Sequence, residues 1–163
     1  PLFSARSVCL MSEPSPDAVI APWLSDSPGR SLWVIGEAIP PLVHDYLSEY
    51  PRTVSRFDPH IEAIDWSASS DACLLTAPLD SKEALVVLGR LRNHLISHIL
   101  CFIREPLTET DLFSLSFKRG MHVSTQTGSL LSFTYALATY NHTRAWNNPK
   151  FWANPENWNK YWW

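Results

Sequence analysis

Apolar residues fall in short blocks along this chain, and the blocks alternate between two periods. The runs at 31–36 (SLWVIG), 72–78 (ACLLTAP) and 98–103 (HILCFI) are nearly continuous and bounded by polar or breaking residues, which reads as buried β-strand. The run at 53–58 (TVSRFD) is a further strand with β-branched content. Between them the period changes. Leu42, Val43, Tyr46, Leu47 and Tyr50 fall at helical spacing after Pro40 and Pro41, and Pro51 stops them. Ala84, Leu88, Leu91 and Leu95 share one helix face, with Asp80 and Glu83 as a capping box. A shorter helix is predicted from Ser15, Pro16 and Asp17 to Leu24, with Pro22 against it, broken by SDSPGR. Thr108 and Asp111 cap LFSLSFKR, and Gly120 can supply the left-handed residue at its end. The stretch 59–70 is ambiguous and fits a short strand at 63–66. At 127–128, Thr-Gly separates two β-rich runs, and Leu131, Phe133, Tyr135 and Leu137 alternate with smaller residues. A helix also fits Leu130, Phe133, Leu137 and Tyr140, but the hairpin is the reading kept.

Strand, helix, strand, twice over, with apolar strands throughout, predicts a mostly parallel sheet covered on both faces. The expected fold is therefore α/β, a three-layer Rossmann-like sandwich with a C-terminal antiparallel hairpin. The expected organisation is a segment at 1–14 outside the fold, a Rossmann-like domain at 15–140, and a Trp-rich tail at 141–163 packed on it. The first residues, PLFSARSVCL, are expected to be a leader or a misplaced start, with Met11 the natural beginning.

Composition narrows the partners. A net charge of −3 offers no general attraction to nucleic acid or to an anionic membrane, and the basic residues are scattered. No apolar run approaches the ~20 residues needed to span a bilayer. Cys9, Cys73 and Cys101 are odd in number and lack CxxC spacing, so free thiols in the cytoplasm are expected. His94 and His98 stand four apart, but the chain leaves the helix between them and no carboxylate or Cys completes a metal set. No G-x-S-x-G elbow marks a nucleophile.

In sheets of this class, ligands bind beyond the carboxyl ends of the strands, where the strand order reverses. Three landmarks belong there: the turn at 36–41, an acidic residue ending the next strand (Asp58), and 76–80. This layout resembles a class I S-adenosylmethionine-dependent methyltransferase over roughly 17–140. The resemblance implies cofactor contacts at Gly36, Glu37 and Asp58, with Asp58 on the ribose and Glu37 near the methionine amino group. Here only Gly36 and Ala38 are small in the loop, Ile39 and Pro40 add bulk, and paired prolines remove amide donors. No acidic-Pro-Pro-aromatic motif follows ACLLTAP. A lone Asp after a strand also serves as a turn or cap residue. The function expected is thus a methyltransferase-like domain without catalysis and without cofactor, acting in binding or assembly, with an unknown protein as partner. A divergent methyltransferase and a nucleotide-binding regulator are the alternatives.

The tail, WNNPKFWANPENWNKYWW, holds five of the chain's eight tryptophans. Its two N-P-x-x-W units each offer a capping Asn, a Pro that pre-sets the first turn, and a Trp one turn later. Trp152 and Trp158 are expected to pack on the domain as a clasp; Trp162 and Trp163, at the end, are the more exposed pair. A surface for a partner or a lid over the crevice is the rival reading. This ending resembles that of an uncharacterised gammaproteobacterial family of unknown function.

Overall fold

The computed structural model describes residues 13–27 and 29–139. Met11, Cys9 and the tail tryptophans Trp152, Trp158, Trp162 and Trp163 lie outside the described residues. In chain order the elements are α1 (Asp17–Asp26), β1 (Ser31–Ile35), α2 (Pro41–Glu49), β2 (Thr53–Phe57), β3 (Ala72–Leu75), α3 (Lys82–Asn93), β4 (His98–Ile103), α4 (Glu109–Ser114), β5 (Lys118–Thr125) and β6 (Gly128–Ala136). The strands form one six-stranded sheet in the order β2-β1-β3-β4-β6-β5. The first four are parallel, and β6 runs antiparallel between β4 and β5.

Both faces of this sheet are covered, which is why its central strands are apolar at successive positions. Leu32, Val34, Leu74, Leu100 and Phe102 face Ile20, Trp23 and Leu24 of α1 and Val43 of α2. Trp33, Ile35, Cys73, Leu75, Cys101, Phe133 and Tyr135 face Val87, Leu88 and Leu91 of α3 and Leu112 of α4. The expected three-layer α/β sandwich with a terminal hairpin is the architecture observed. The hairpin turns at Gln126 and Thr127 and is followed by Gly128 at φ +126, so strand pairing prevails over the helical reading of 130–140.

Several local expectations are corrected. α1 is led by Pro16 with no side-chain cap and runs through Pro22 to Asp26, because Ile20, Trp23 and Leu24 are buried on both sides of the proline. No strand forms at 63–66. A 3₁₀ turn at Ile61–Ala63 stands there, and the Trp66 indole N–H donates to the Ile61 carbonyl (2.9 Å). The cap of α3 is Ser81, whose Oγ accepts from Ala84 N–H, while Asp80 instead pairs with Arg104 at 2.8 Å. Thr108 and Asp111 do form the expected capping box. The left-handed residue after α4 is Ser116 (φ +64); Gly120 lies in β5, where a Cβ would strike the Ser132 hydroxyl.

At the amino end of the sheet one carboxylate ties two parallel strands together. Asp71 Oδ2 accepts from Arg30 N–H (2.8 Å), Ser31 N–H (3.1 Å) and Ser31 Oγ (2.8 Å), and Ser31 Oγ accepts from Asp71 N–H (2.9 Å). The Ser31 hydroxyl, and after it the Arg30 N–H, hold the Asp71 carboxyl below its ordinary range. Asp71→Ala is expected to cost about 1–2 kcal/mol, the lower part of the range for bonds to a charged group, because the site is partly open to water. Because the folded pKa is depressed, this stabilisation is present above the ordinary value of 3.8 and is lost as the pH falls through the folded one. Urea titrations of both proteins between about pH 6 and about pH 2 should therefore show the difference shrinking with acid. A gap that stays constant would assign the effect to lost packing instead.

Candidate functional site

The chain leaves β1 through α2 to reach β2 on one side, then returns past β1 to place β3 on the other. The strand order therefore reverses between β1 and β3, and the crevice beyond Ile35 and Leu75 is where a ligand of such a sheet would enter.

At the mouth of that crevice the end of β3 packs closely on the β1 turn. Thr76 N–H donates to the Ile35 carbonyl (2.9 Å), and the Thr76 hydroxyl reaches the same oxygen (3.3 Å). Gly36 N–H is taken by the Phe57 carbonyl on the other side (2.9 Å). A Cβ on Gly36 would collide with the Thr76 hydroxyl and lie 3.3 Å from the Ala77 nitrogen. The glycine thus serves the close approach of the β3 extension to the β1 turn. In a cofactor loop the same lack of a side chain would admit the ligand.

The three sequence-predicted residues do come together, around a fourth that the sequence reading missed. Arg56 Nη1 donates to the carbonyl of Gly36 (2.9 Å), to the carbonyl of Glu37 (2.9 Å) and to Asp58 Oδ1 (2.9 Å). Asp58 lies two residues beyond Arg56 and is held by an exposed ion pair, a contact worth about 0–1 kcal/mol. The Glu37 side chain is exposed. Alternation along β2 was the available signal, since Arg56 and Asp58 leave the strand on one side. Nothing local says that the guanidinium turns onto the β1 loop.

Two small openings border this end of the sheet among the described residues. A void of about 10 Å³ lies under the loop among Ile35, Leu75, Leu79, Ala84 and Val87, at the lower limit for one water. A shallow depression of about 190 Å³ lies outside it, between Pro59–His60 and residues 77–84. Pockets for small molecules usually enclose ~300–1,000 Å³.

A larger groove, about 640 Å³, lies elsewhere, at the carboxyl end of β4 and the turn end of the hairpin. Its walls include Ile103, Leu107, Leu130 and Leu131, with Arg104, Glu109 and His122 among its polar members. Two of its charged groups are paired with side chains at its rim: Arg104 with Asp80 (2.8 Å) and Glu109 with Arg119 (3.2 Å). No sequence signal marked this groove, because the insertion of β6 between β4 and β5 brings its walls together.

Other chemistry is equally constrained. His94 and His98 do not face a common point: His94 Nε2 lies 2.6 Å from the Ala68 carbonyl and its ring stacks on Trp33, whereas His98 begins β4. Burial lowers the His98 pKa. Cys73 and Cys101 are free and buried, and burial pushes both thiols up, so neither is a thiolate nucleophile. Among the described residues no group of three or more His, Cys, Asp or Glu could hold a metal ion, and no helix is long and apolar enough to cross a membrane.

No curated protein matches the chain. A family model does, and it covers residues 14–163, from just before α1 to the final tryptophan. With its α/β sandwich and its Trp-rich ending, the chain belongs to DUF6231, a family of unknown function.

Proposed function

We propose that this protein works by binding, as a recognition or assembly module with a Rossmann-like body, and not by catalysis on S-adenosylmethionine. The observation that carries this reading is the packing of Thr76 against Gly36 at the point where the strand order reverses. A nucleoside cofactor needs that space, and it needs free backbone groups in the loop after β1. In this chain Arg56 already takes the Gly36 and Glu37 carbonyls together with Asp58. The partner in this reading is another protein. A net charge of −3 argues against nucleic acid, and the free buried thiols Cys73 and Cys101 favour a cytoplasmic setting.

The test is calorimetric. S-adenosylmethionine, S-adenosylhomocysteine and nucleotides titrated into the protein are expected to give no saturable heat at micromolar concentrations. Micromolar affinity for S-adenosylmethionine that disappears in Asp58→Ala would overturn the proposal and establish a divergent methyltransferase, with Asp58 on the ribose and Glu37 at the amino group. Saturable binding of a nucleotide alone would make the protein a nucleotide-binding regulator.

A further inference from the structure

The groove at the carboxyl end of β4, about 640 Å³, has the volume of a small-molecule site. Its apolar lining comes from Ile103, Leu107, Leu130 and Leu131. One wall is the turn after β4, where Leu107 N–H donates to the Arg104 carbonyl (3.1 Å) and Glu105 and Pro106 form the corner. The other wall is the hairpin. Ser129 and Leu131 alternate onto one face of β6, with Ser124 and His122 beside them on β5. The chain ahead of α1 adds a group to that wall. Ser124 N–H donates to the Pro14 carbonyl (2.8 Å), which holds that segment on the outer edge of β5. Next to it the Glu13 carboxylate accepts from Ser129 Oγ (2.7 Å).

Charge decides what such a groove takes. Arg104 is matched by Asp80 and Arg119 by Glu109, so these four cancel. Arg119 Nη2 also lies 3.4 Å from His122 Nε2. An arginine nitrogen can only donate, so the imidazole accepts there and is neutral. Two carboxylates remain. Glu105 lines the groove and Glu13 sits on Ser129 at its rim, and neither has an ion-pair partner among the described residues. The groove thus joins an apolar lining to two uncompensated negative charges.

We propose that this groove binds a small organic cation, an ammonium carried on an apolar body, with the body on Leu107 and Leu131 and the ammonium facing Glu105 and Glu13. An anion on the same body would meet two like charges and no unpaired arginine. The volume suits a free small molecule, whereas a stable protein partner spreads over a far broader footprint. The site is separate from the crevice between β1 and β3, and it depends neither on what that crevice binds nor on the protein partner proposed above.

Two probes with one apolar body and opposite charge test it: phenethylamine and hydrocinnamate, titrated into the isotope-labelled full chain and followed by NMR. Phenethylamine should give saturable amide shifts confined to 103–109, 122 and 129–131. Hydrocinnamate should bind about tenfold more weakly, since attraction becomes repulsion at the exposed carboxylates. Glu105→Gln should weaken the amine about threefold, the scale of one exposed ion pair. The double variant Glu13→Gln/Glu105→Gln keeps an acceptor for Ser129 and should bind both probes alike. Asp45→Asn, at an exposed carboxylate on α2, should change neither. Hydrocinnamate binding as tightly as phenethylamine in the native protein overturns the proposal. So do saturable shifts outside the groove, or none at all. An acetylated Phe-Lys peptide that binds the groove more tightly than phenethylamine overturns it too, assigning the groove to the protein partner.

Discussion

Replacing Trp33 by alanine is expected to lower the unfolding free energy by about 3–5 kcal/mol, a large part of the roughly 5–15 kcal/mol that holds a domain together. Trp33 sits in the middle of β1 and is 2% exposed. Its ring meets Phe57 edge-on at 5.1 Å and Trp66 at 6.3 Å, and stacks on His94 at 5.8 Å. Arg90 in turn lies over the Trp66 ring at 5.5 Å. The cluster has a specific task. Between β2 and β3 the chain makes only a 3₁₀ turn, so aromatic side chains cover this face of the sheet where a crossover helix would otherwise lie. Truncating the central ring removes contacts to three partners at once, and a parallel sheet cannot close around the gap without moving β2. Denaturant titration followed by circular dichroism should show the midpoint falling with little change in slope. A loss below about 1 kcal/mol would mean that Trp66 and Phe57 refill the space, and that the cluster is adaptable.

Deleting 147–163 is expected to leave an aggregated or barely folded protein. In the two N-P-x-x-W units, Trp152 and Trp158 each follow by four positions an Asn of a type suited to capping and by three a Pro suited to a first turn. A packed Trp contributes about 3–5 kcal/mol against truncation, so losing two would consume most of an ordinary domain's stability. Size-exclusion chromatography and thermal melting of the truncated chain measure both effects. A truncated protein that stays monomeric, melts at the same temperature and loses a pull-down partner would show that the tail is a docking surface. The clasp would then be wrong.

The site residues show where local reasoning reaches its limit. Gly36 and Asp58 were legible from the sequence as the glycine after the first strand and the acid after the second, both facts of position along the chain. Their roles were not legible. Gly36 makes room for Thr76, 40 residues on, and Asp58 pairs with Arg56, which turns back onto the Gly36 and Glu37 carbonyls. Leu95 shows the same limit in a helix. Its spacing fits the apolar face of Ala84, Leu88 and Leu91, yet the helix ends before it, and the tight turn carries its side chain outward.

The sequence by itself determined where the strands and most of the helices lie, because burial on two faces leaves continuous apolar runs and burial on one leaves helical spacing. It also determined the hairpin, from the Thr127-Gly128 signal one residue beyond the observed turn at Gln126 and Thr127, and the Thr108–Asp111 cap, since both are settled by residues within a few positions of each other. Only the tertiary structure decided that β6 inserts between β4 and β5, which opens the 640 Å³ groove at their ends. It alone also decided that Thr76 packs on Gly36 where the strand order reverses and that Leu95 faces water. The reason is the same each time: these outcomes depend on which surfaces meet across dozens of residues, and no local pattern of polar and apolar positions encodes that meeting.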